Sequence, residues 1–366
     1  MINLLFFASD YAVGLTTVLA EQVLELKKQD CLNLVSAASE NEMEPGLRNR
    51  LYDAGVQLNI IPGLDVHRDF KRLCAAIGDI IRKNEIQIVN VHNNWQLALV
   101  EWVRFSGMSK RKFKIIYTIH GYRHNSVWKS FFAIGLIGVA LLLWADLVIS
   151  MSGYVSRKFW FVRYKTILVY YIMNKPEFRK MENKICTEGL KIVFPAQFRK
   201  GKNQDRLIDV IVQYVQKTGD KSIRVWLPGT GELLQHCKEK VNAAQLTEQI
   251  IFPGLLPHKD VVSLYEAANI GLAMTNVETY GRCIAEPFAL GRCVITRRTG
   301  IAEDIIRHGE NGFIFDTNEE LLQILLLLHD HPELIRKNAE QAFIDKEVFS
   351  PSNVIQSYIQ ALKKIS

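Results

Sequence analysis

The feature that most constrains the fold is the alternation of short apolar runs with longer amphipathic stretches along the first half of the chain. The amphipathic stretches include residues 16–28 and 70–83, whose apolar positions recur at helical spacing. A strand, a crossover helix and a second strand form a right-handed unit with parallel strands. The first half is therefore expected to form a mostly parallel α/β sheet. Its expected strands are residues 2–8, 32–37, 57–61, 86–91, 114–119, 147–151 and 167–173.

The second half repeats this alternation and predicts a second α/β domain. A chain of 366 residues is longer than one ordinary core requires, so two domains are expected. We predict domains at residues 1–175 and 176–350, a charged linker at 177–189 within the second range, and a final helix at 351–366. The expected strands of the second domain are residues 191–194, 223–227, 250–252, 270–274, 293–296 and 312–315.

The charge balance indicates an anionic partner. The chain has 45 Lys and Arg residues against 38 Asp and Glu residues, which gives a formal net charge of +7. Nucleic acid, anionic lipid headgroups and a diphosphate would each suit this charge. Because no DNA- or RNA-recognition motif occurs, we expect no nucleic-acid partner.

Cysteine usage and the N-terminal residues indicate the compartment. The six cysteines are far apart and show no metal-binding or disulfide spacing, which is typical of reduced thiols in a cytoplasmic protein. Residues 1–8 are apolar but have no basic leader before them, so we expect a first strand there and not a signal peptide.

Residues 131–145 form an uncharged apolar segment that is shorter than the roughly 20 residues needed for a helix to cross a bilayer. Apolar residues occupy every side of this helix, so it is either a core helix or an interfacial helix on a membrane. Basic and aromatic residues surround it, and Trp and Tyr favour the headgroup zone. We therefore expect a cytoplasmic protein that is peripheral on the inner membrane face. The surrounding residues are Lys110, Arg111, Lys112, Lys114, Arg123, Lys129, Arg157, Lys158, Arg163, Lys165, Trp128, Trp144, Phe159, Trp160, Phe161 and Tyr164.

The strongest indication of a binding site is a loop and helix near residue 280. Residues 277–291 read VETYGRCIAEPFALG and lie between two apolar strands. Ligands of parallel sheets bind where strands end and helices begin. Gly281 permits a close approach of the backbone, and the amides that open the next helix suit a diphosphate. Glu278 and Glu286 can accept hydrogen bonds from sugar hydroxyls, although two solvated carboxylates on a surface helix would give the same pattern.

Two glutamates eight residues apart around a central glycine resemble the signature of retaining GT-B glycosyltransferases, especially glycosyltransferase family four of the group 1 type. The resemblance implies two Rossmann-like α/β domains that face each other across a cleft, the GT-B fold, with the final helix at 351–366 crossing back to the N-terminal domain. It also implies that Glu278 faces the donor sugar as a catalytic residue and that Glu286 binds the nucleotide ribose. The donor contacts that it implies between these glutamates are Thr279, Tyr280, Gly281, Arg282 and Cys283.

A basic loop follows the strand at residues 191–194. Cations at the end of a strand stabilise the charge on a departing nucleoside diphosphate, although a solvated basic loop would look the same. The family has an arginine at the end of this strand and a lysine five residues later. Lys202 matches the lysine, but Gln197 occupies the arginine position. We expect Arg199 to supply the missing catalytic charge and Gln197 to contact the donor.

Weaker motifs resemble other parts of the family's donor site. Gly229 and Gly231 form a glycine-rich turn after an apolar strand, and a tight turn of the main chain is an equally good interpretation. Gly254 and Leu255 lie in a segment that resembles the base-recognition loop. Pro287 departs from the family pattern and is expected to kink its helix or to tighten the first turns.

The first half carries fewer motifs. Gly14 lies in the loop after the first strand, where family members bring a glycine-rich loop close to the donor phosphates. His120 follows a strand within a Thr-x-His segment, and its imidazole could contact the acceptor hydroxyl or the donor sugar. His92 also follows a strand and is a weaker candidate.

The sequence thus predicts a retaining hexosyltransferase that uses a nucleotide-diphosphate sugar, with UDP favoured by default. The expected acceptor is a lipid-linked intermediate or an oligosaccharide in bacterial surface polysaccharide biosynthesis, such as capsule, O-antigen of lipopolysaccharide or exopolysaccharide. No cofactor or metal is expected, since no Asp-x-Asp motif occurs in the chain. The alternatives are a nucleotide-sugar epimerase or hydrolase on the same fold, and a non-catalytic partner subunit that binds nucleotide sugar.

Overall fold

A computed structural model describes residues 1–8, 13–41, 43, 45–66, 69–120, 127–173 and 189–366, with only the backbone of residues 13, 14 and 127–133. The expected linker at 177–189 lies outside the described residues except for Gly189. The chain divides into two compact units. The first contains residues 1–172 and 349–366, and the second contains residues 173–348.

In the described part of the first unit, seven parallel strands form one sheet. Leu5 of the central strand pairs with Val35 on one side and Val89 on the other, and all three side chains are buried. The strand order is β3-β2-β1-β4-β5-β6-β7. These strands are β1 (Ile2–Phe7), β2 (Leu32–Ser39), β3 (Gln57–Ile61), β4 (Ile88–Val91), β5 (Lys114–Ile119), β6 (Leu147–Ser150) and β7 (Thr166–Leu168).

Helices and a 3₁₀ helix cover this sheet. Leu73, Ile77 and Ile81 recur at helical spacing on one of the helices and are all buried, as expected for an amphipathic helix packed on a core. Asn93 caps the next helix, because its side chain accepts a hydrogen bond from the amide of Gln96. The helices are α1 (Val13–Lys27), α2 (Pro45–Asp53), α3 (Phe70–Lys83), α4 (Asn94–Ser106), α5 (Val127–Trp144) and α6 (Gly153–Lys158), with a 3₁₀ helix at Trp160–Lys165.

The second unit contains a parallel sheet of six strands among its described residues. The order is β10-β9-β8-β11-β12-β13, so the chain builds outward from β8 in one direction and then returns to build from β11 in the other. Ligands of such sheets bind outside the carboxyl ends of the strands at this switch point. The strands are β8 (Lys191–Val193), β9 (Arg224–Trp226), β10 (Ile250–Ile251), β11 (Ile270–Ala273), β12 (Cys293–Arg297) and β13 (Phe313–Phe315).

Seven helices accompany this sheet in the described residues, and the helix with the proline packs closely on β11. A Cβ atom at Gly271 would lie 2.3 Å from Cβ of Pro287, so only glycine admits the proline ring at this contact. The helix continues through Pro287 to Ala289. The helices are α7 (Gln204–Thr218), α8 (Leu234–Ala243), α9 (His258–Ala267), α10 (Arg282–Ala289), α11 (Ala302–Ile305), α12 (Asn318–Asp330) and α13 (Glu333–Asp345).

After residue 348 the chain returns to the first unit with α14 (Pro351–Lys363). Ser350 caps this helix by accepting a hydrogen bond from the amide of Asn353. Tyr358 is buried, and its hydroxyl donates to Oδ1 of Asn90 in β4 at 2.6 Å. The helix therefore contributes to the core of the first unit.

The apolar segment at 131–145 forms most of α5. Leu141 and Ala145 are buried in the first unit, whereas Leu136, Val139 and Leu143 are exposed. The segment is thus a core helix on one side and an exposed apolar surface on the other. None of the helices in the described ranges is both long enough and apolar enough to cross a membrane.

Candidate active site

The two loops at the switch point of the second sheet carry the predicted charged residues. The loop after β8 leads to Lys202, and the loop after β11 leads to Glu278. Because β8 and β11 are neighbouring parallel strands, these loops leave the same edge of the sheet side by side. Lys202 Nζ forms an ion pair with Oε1 of Glu278. The side chains are only 13% and 17% exposed, so the two charges interact where water is largely excluded.

Polar contacts join these two loops. Asn203 adopts a left-handed backbone conformation at φ 62° just before α7. Its Nδ2 donates to the carbonyl of Met274 at 2.8 Å and to Oδ1 of Asn276 at 2.7 Å. The amide of Asn276 donates in turn to the carbonyl of Gly201 at 2.9 Å. Lys202 and Glu278 are therefore held by a network that includes Asn203, a residue that the sequence analysis did not single out.

A third loop, after β12, fixes the backbone around Glu278. The Glu278 amide donates to Oγ1 of Thr299 at 2.8 Å, and the amide of Ile301 donates to the carbonyl of Tyr280 at 2.7 Å. Gly300 has φ 58°, and a Cβ atom there would lie 2.3 Å from the same carbonyl oxygen. A glycine is needed here because the two loops approach so closely.

The loop turns into α10 at Gly281, which has φ 93°. The helix begins at Arg282, and the first turn of a helix is where anions commonly bind. Thr279 is half-buried and Tyr280 is buried beside this turn. Cys283 is also buried, and burial raises the pKa of its thiol, so a neutral Cys283 lines the start of the helix.

Glu286 lies one turn further along α10 and is 4% exposed. Its Oε1 accepts a hydrogen bond from Nη2 of Arg282 at 2.5 Å and lies 3.0 Å from Nε2 of His258. The same His258 nitrogen lies 2.9 Å from Nη2 of Arg282. The protonation of this nitrogen therefore determines whether it donates to Glu286 or accepts from Arg282. The sequence analysis missed His258, because no local pattern connects the start of α9 with α10.

The predicted glycine turns lie against the loop after β8. A Cβ atom at Gly229 would be 2.1 Å from the carbonyl oxygen of Ala196, and one at Gly231 would be 2.4 Å from that of Phe198. The amide of Gly229 donates to the carbonyl of Gly254 at 2.8 Å. These glycines thus let three strand ends of the sheet pack backbone to backbone. Leu255 follows with 77% of its surface exposed.

Gln197 occupies the family's arginine position, and Arg199 is expected to supply the missing charge. The two side chains differ in exposure and in hydrogen bonding. The side chain of Gln197 is exposed, and its carbonyl accepts hydrogen bonds from Gln204 Nε2 at 3.1 Å and from the amide of Arg199 at 3.0 Å. Arg199 is half-buried, and its buried Nε has no hydrogen-bond partner in the described part of the chain. Of the two residues, Arg199 therefore has the charge and a hydrogen-bond donor to offer to an anion.

His120 and Gly14 lie in the first unit. His120 Nε2 lies 2.8 Å from Nδ1 of His92, and His120 Nδ1 lies 2.8 Å from the hydroxyl of Tyr171. Burial lowers the pKa of His120 to about 3, and burial followed by the nearby His120 lowers the pKa of His92 well below its ordinary value. Both imidazoles are therefore neutral near pH 7. Gly14 is in the first turn of α1, and residues 9–12 of its loop lie outside the described residues.

The structure therefore brings Lys202, Glu278 and Glu286 together around Cys283 at the start of α10, whereas Gly229, Gly231 and Gly254 follow β9 and β10. In the first unit it pairs His120 with His92, and each ring nitrogen of His120 is within hydrogen-bond distance of a neighbour. His92 Nε2 is buried and has no hydrogen-bond partner among the described residues. A ligand that bound His120 through a ring nitrogen would have to displace His92 or Tyr171.

Comparison with known proteins identifies the second half of the chain. Residues 175–343 match the family model of glycosyl transferases group 1. These residues form a group 1 glycosyl transferase domain. Lys202, Glu278 and Glu286 all lie inside the group 1 domain, and the resemblance drawn from the two glutamates is confirmed at the level of the family.

Part of the chain is similar to curated enzymes. Alpha-monoglucosyldiacylglycerol synthase of Acholeplasma laidlawii is 23% identical over 165 residues, which are 44% of this chain and 41% of that protein. 2-Deoxystreptamine N-acetyl-D-glucosaminyltransferase of Niallia circulans is 26% identical over 160 residues, 40% of this chain and 41% of that protein. The chain thus matches less than half the length of each of these relatives.

Solved structures match the whole chain in fold. Anabaena Alr3699/HepE in complex with UDP and glucose has a TM-score of 0.74 and 16% identity, with 100% of both chains covered. The apo form of the lipopolysaccharide outer core galactosyltransferase WaaB has a TM-score of 0.75 and 12% identity, with 99% of both chains covered. The predicted fold class, an α/β protein of the GT-B type with two parallel sheets, is confirmed.

Proposed function

We propose that this protein is a retaining glycosyltransferase that moves a hexose-type sugar from a nucleoside-diphosphate sugar to a lipid-linked or oligosaccharide acceptor. The observation that carries the proposal is the partly buried pair of Lys202 and Glu278 at the switch point of the second sheet, beside the start of α10. The group 1 domain and the glycosyltransferase relatives support a transferase over an epimerase, a hydrolase or a non-catalytic subunit.

The donor in this proposal is a UDP-sugar. The first amides of α10 and the cations Lys202 and Arg199 provide a site for a diphosphate, and Glu286 is the acceptor for ribose hydroxyls. Support for uridine comes from the related fold of Alr3699/HepE, whose structures contain UDP, UDP with glucose, or UDP-glucose.

The proposed chemistry keeps the configuration at the anomeric carbon. The acceptor hydroxyl attacks from the face that the diphosphate leaves, so the bond to the acceptor oxygen forms as the bond to the diphosphate oxygen breaks. The proton of the hydroxyl passes to a diphosphate oxygen. Lys202, Arg199 and the amides of α10 stabilise the charge on the leaving group, and Glu278 faces the sugar. No metal takes part in this proposal.

The acceptor side of the proposal places the enzyme at the inner face of the bacterial membrane, in the synthesis of a surface polysaccharide. Three observations support it: the apolar outer face of α5, the basic balance of the chain, and a glycolipid synthase among the relatives.

The donor proposal is tested by thermal denaturation with a panel of nucleotide sugars that differ in base and sugar. We expect one UDP-sugar to raise the melting temperature of the wild type and of Glu340→Ala, a control at an exposed glutamate of α13, but not of Glu286→Ala. Turnover of that donor with bacterial membrane extract then tests transfer. A panel in which no nucleotide sugar stabilises the wild type would contradict the proposal.

A further inference from the structure

The outer face of α5 is apolar where a surface helix normally carries polar residues. Leu136, Val139 and Leu143 are spaced by three and four positions, so they share one side of the helix, and they are 59%, 54% and 67% exposed. Leu141, on the other side, is fully buried in the first unit. A contiguous exposed apolar face of this kind marks an interaction surface.

The 3₁₀ helix at Trp160–Lys165 packs against α5 and brings further exposed aromatic residues next to it. Phe161 packs directly on Gly138, where a Cβ atom would lie 2.0 Å from the phenyl ring. Lys165 Nζ donates to the carbonyls of Leu142 at 3.0 Å and Ala145 at 2.5 Å, which ties the segment to the C-terminal end of α5. Trp160 and Tyr164 belong to this segment and are 73% and 70% exposed. Phe159, which the sequence also placed at this surface, is buried.

The end of α4 adds a further aromatic residue. Arg104 Nη2 donates to the carbonyl of Trp144 at 2.8 Å, which holds α4 against the C-terminal end of α5. Phe105 is the next residue and is 83% exposed. We call the set of Phe105, Leu136, Val139, Leu143, Trp160 and Tyr164 the docking face.

Positive charge accompanies the docking face. Residues 153–166 include Arg157, Lys158, Arg163 and Lys165 and contain no Asp or Glu. Asp146, the acidic residue just after α5, is paired with Arg104 and Lys114. Exposed tryptophan and tyrosine beside aliphatic side chains and lysines suit the headgroup zone of an anionic bilayer. The complementarity between this positive charge and anionic headgroups is the reason for choosing lipid over a protein partner.

We propose that the docking face is the part of this protein that inserts into the surface of an anionic membrane, with the aliphatic side chains of α5 below the headgroups and the basic residues at the headgroups. The inference deepens the proposed function, on which it rests for the idea that the acceptor is presented at a membrane. The binding itself requires neither donor nor acceptor.

The experiment is co-sedimentation of the full chain with vesicles. We expect the wild type to bind vesicles of phosphatidylethanolamine and phosphatidylglycerol, and to bind phosphatidylcholine vesicles or anionic vesicles at high salt more weakly. The double variant Leu136→Glu/Leu143→Glu should bind anionic vesicles about tenfold to a hundredfold more weakly, because each leucine loses its apolar burial. The matched control is Ile344→Glu, which changes a 64% exposed apolar residue of α13.

Three outcomes would overturn the inference: a wild type that does not bind anionic vesicles, a double variant that binds as the wild type does, or a wild type that forms a dimer in solution which the double variant loses. A milder variant, Trp160→Ala, and melting temperatures show whether a loss of binding reflects unfolding. Stabilisation by nucleotide sugar is measured in parallel. If the vesicle result holds and no nucleotide sugar stabilises the protein, the proposed function fails while the docking face stands.

Discussion

Lys202 and Glu278 carry opposite charges in a place where water is largely excluded. While no donor is bound, each charge is compensated by the other. Removing one partner of such a pair leaves a poorly compensated charge. In the proposed reaction the ammonium group of Lys202 acquires a second anionic partner as the diphosphate leaves. A lysine held in place by the loops around it costs little reorganisation at that moment, which is what makes a preorganised charge effective.

Lys202→Ala is expected to lower kcat by about a hundredfold to a thousandfold, because it removes one positive charge from the leaving group. The measurement is turnover at saturating donor, with thermal denaturation to show that the variant is folded. Lys200→Ala is the matched control, since Lys200 is an exposed lysine of the same loop. If Lys202→Ala keeps more than a tenth of the wild-type kcat and Lys200→Ala does not, the role belongs to the other lysine.

The buried pair of His92 and His120 predicts a pH dependence of stability. Both pKa values are lower in the folded protein than the ordinary value of 6.5, so the stability from the neutral rings is complete above pH 6.5. Below pH 6.5 the two histidines bind protons in the unfolded chain but stay neutral in the folded chain. The free energy of unfolding therefore falls as the pH is lowered towards 3. Between its ordinary pKa and its lowered pKa, His120 contributes about 1.4 kcal/mol per pH unit to this loss.

The pH dependence is checked with His120→Gln, which cannot bind that proton in either state. The difference in unfolding free energy between wild type and variant should shrink as the pH falls from 6.5 to 4.5. Urea unfolding followed by tryptophan fluorescence in a Trp226→Phe background reports on the first unit, because Trp226 is the only tryptophan in the sequence of the second. A difference that stays constant with pH would contradict the assignment.

The sequence could predict Lys202 and Glu278 because both follow strands, and parallel strands bring their carboxyl ends to one edge. The same logic applies to His92 and His120, which follow the neighbouring strands β4 and β5, so the pairing could have been found from strand order. The contact between His258 and Glu286 could not, since it depends on how α9 packs beside α10. That packing is a tertiary property without a local pattern.

Among the elements, the contact between α5 and the 3₁₀ helix depends on Gly138, whose lack of a side chain lets the two helices pack closely. The ring of Phe161 occupies the space where residue 138 would otherwise have a Cβ atom. Gly135 lies one turn earlier in the same helix and has no atom within 4 Å of the equivalent position. The apolar pattern predicted the helix but could not distinguish these two glycines, because both interrupt the same uncharged segment.

The two glycines give a matched pair of substitutions. Gly138→Ala should destabilise the first unit by about 1–3 kcal/mol, because the added methyl overlaps Phe161. Gly135→Ala should stabilise it by roughly 0.5–1 kcal/mol, because alanine is the better helix former and meets no neighbour. Chemical denaturation of each variant measures both values. Equal effects of the two substitutions would show that Phe161 does not pack on Gly138.

At the scale of the whole molecule, each unit has its own parallel sheet, and the basic residues of the two units are used differently. The second unit has Lys202 in a partly buried ion pair with Glu278, whereas the first unit places exposed basic residues beside the docking face. Alternating apolar and amphipathic runs were sufficient to predict both sheets. The net charge of +7 alone did not distinguish a diphosphate partner from a lipid one, because it does not show where on the protein the basic residues lie.

The whole chain also bears on whether the reaction needs a metal. A nucleoside diphosphate leaves with two negative charges, and either a bound cation or the protein must stabilise them. No Asp-x-Asp motif occurs anywhere in the sequence, whereas Lys202, Arg199 and the start of α10 supply positive charge at the proposed site.

We therefore expect turnover to stay within about twofold of its initial rate after treatment with EDTA, since removing a metal would leave these groups in place. The measurement compares initial rates with and without EDTA, followed by addition of Mg²⁺ or Mn²⁺. If EDTA abolishes activity and Mg²⁺ or Mn²⁺ restores it, the prediction is wrong. A metal ion, and not Lys202 and Arg199, then stabilises the charge on the leaving diphosphate.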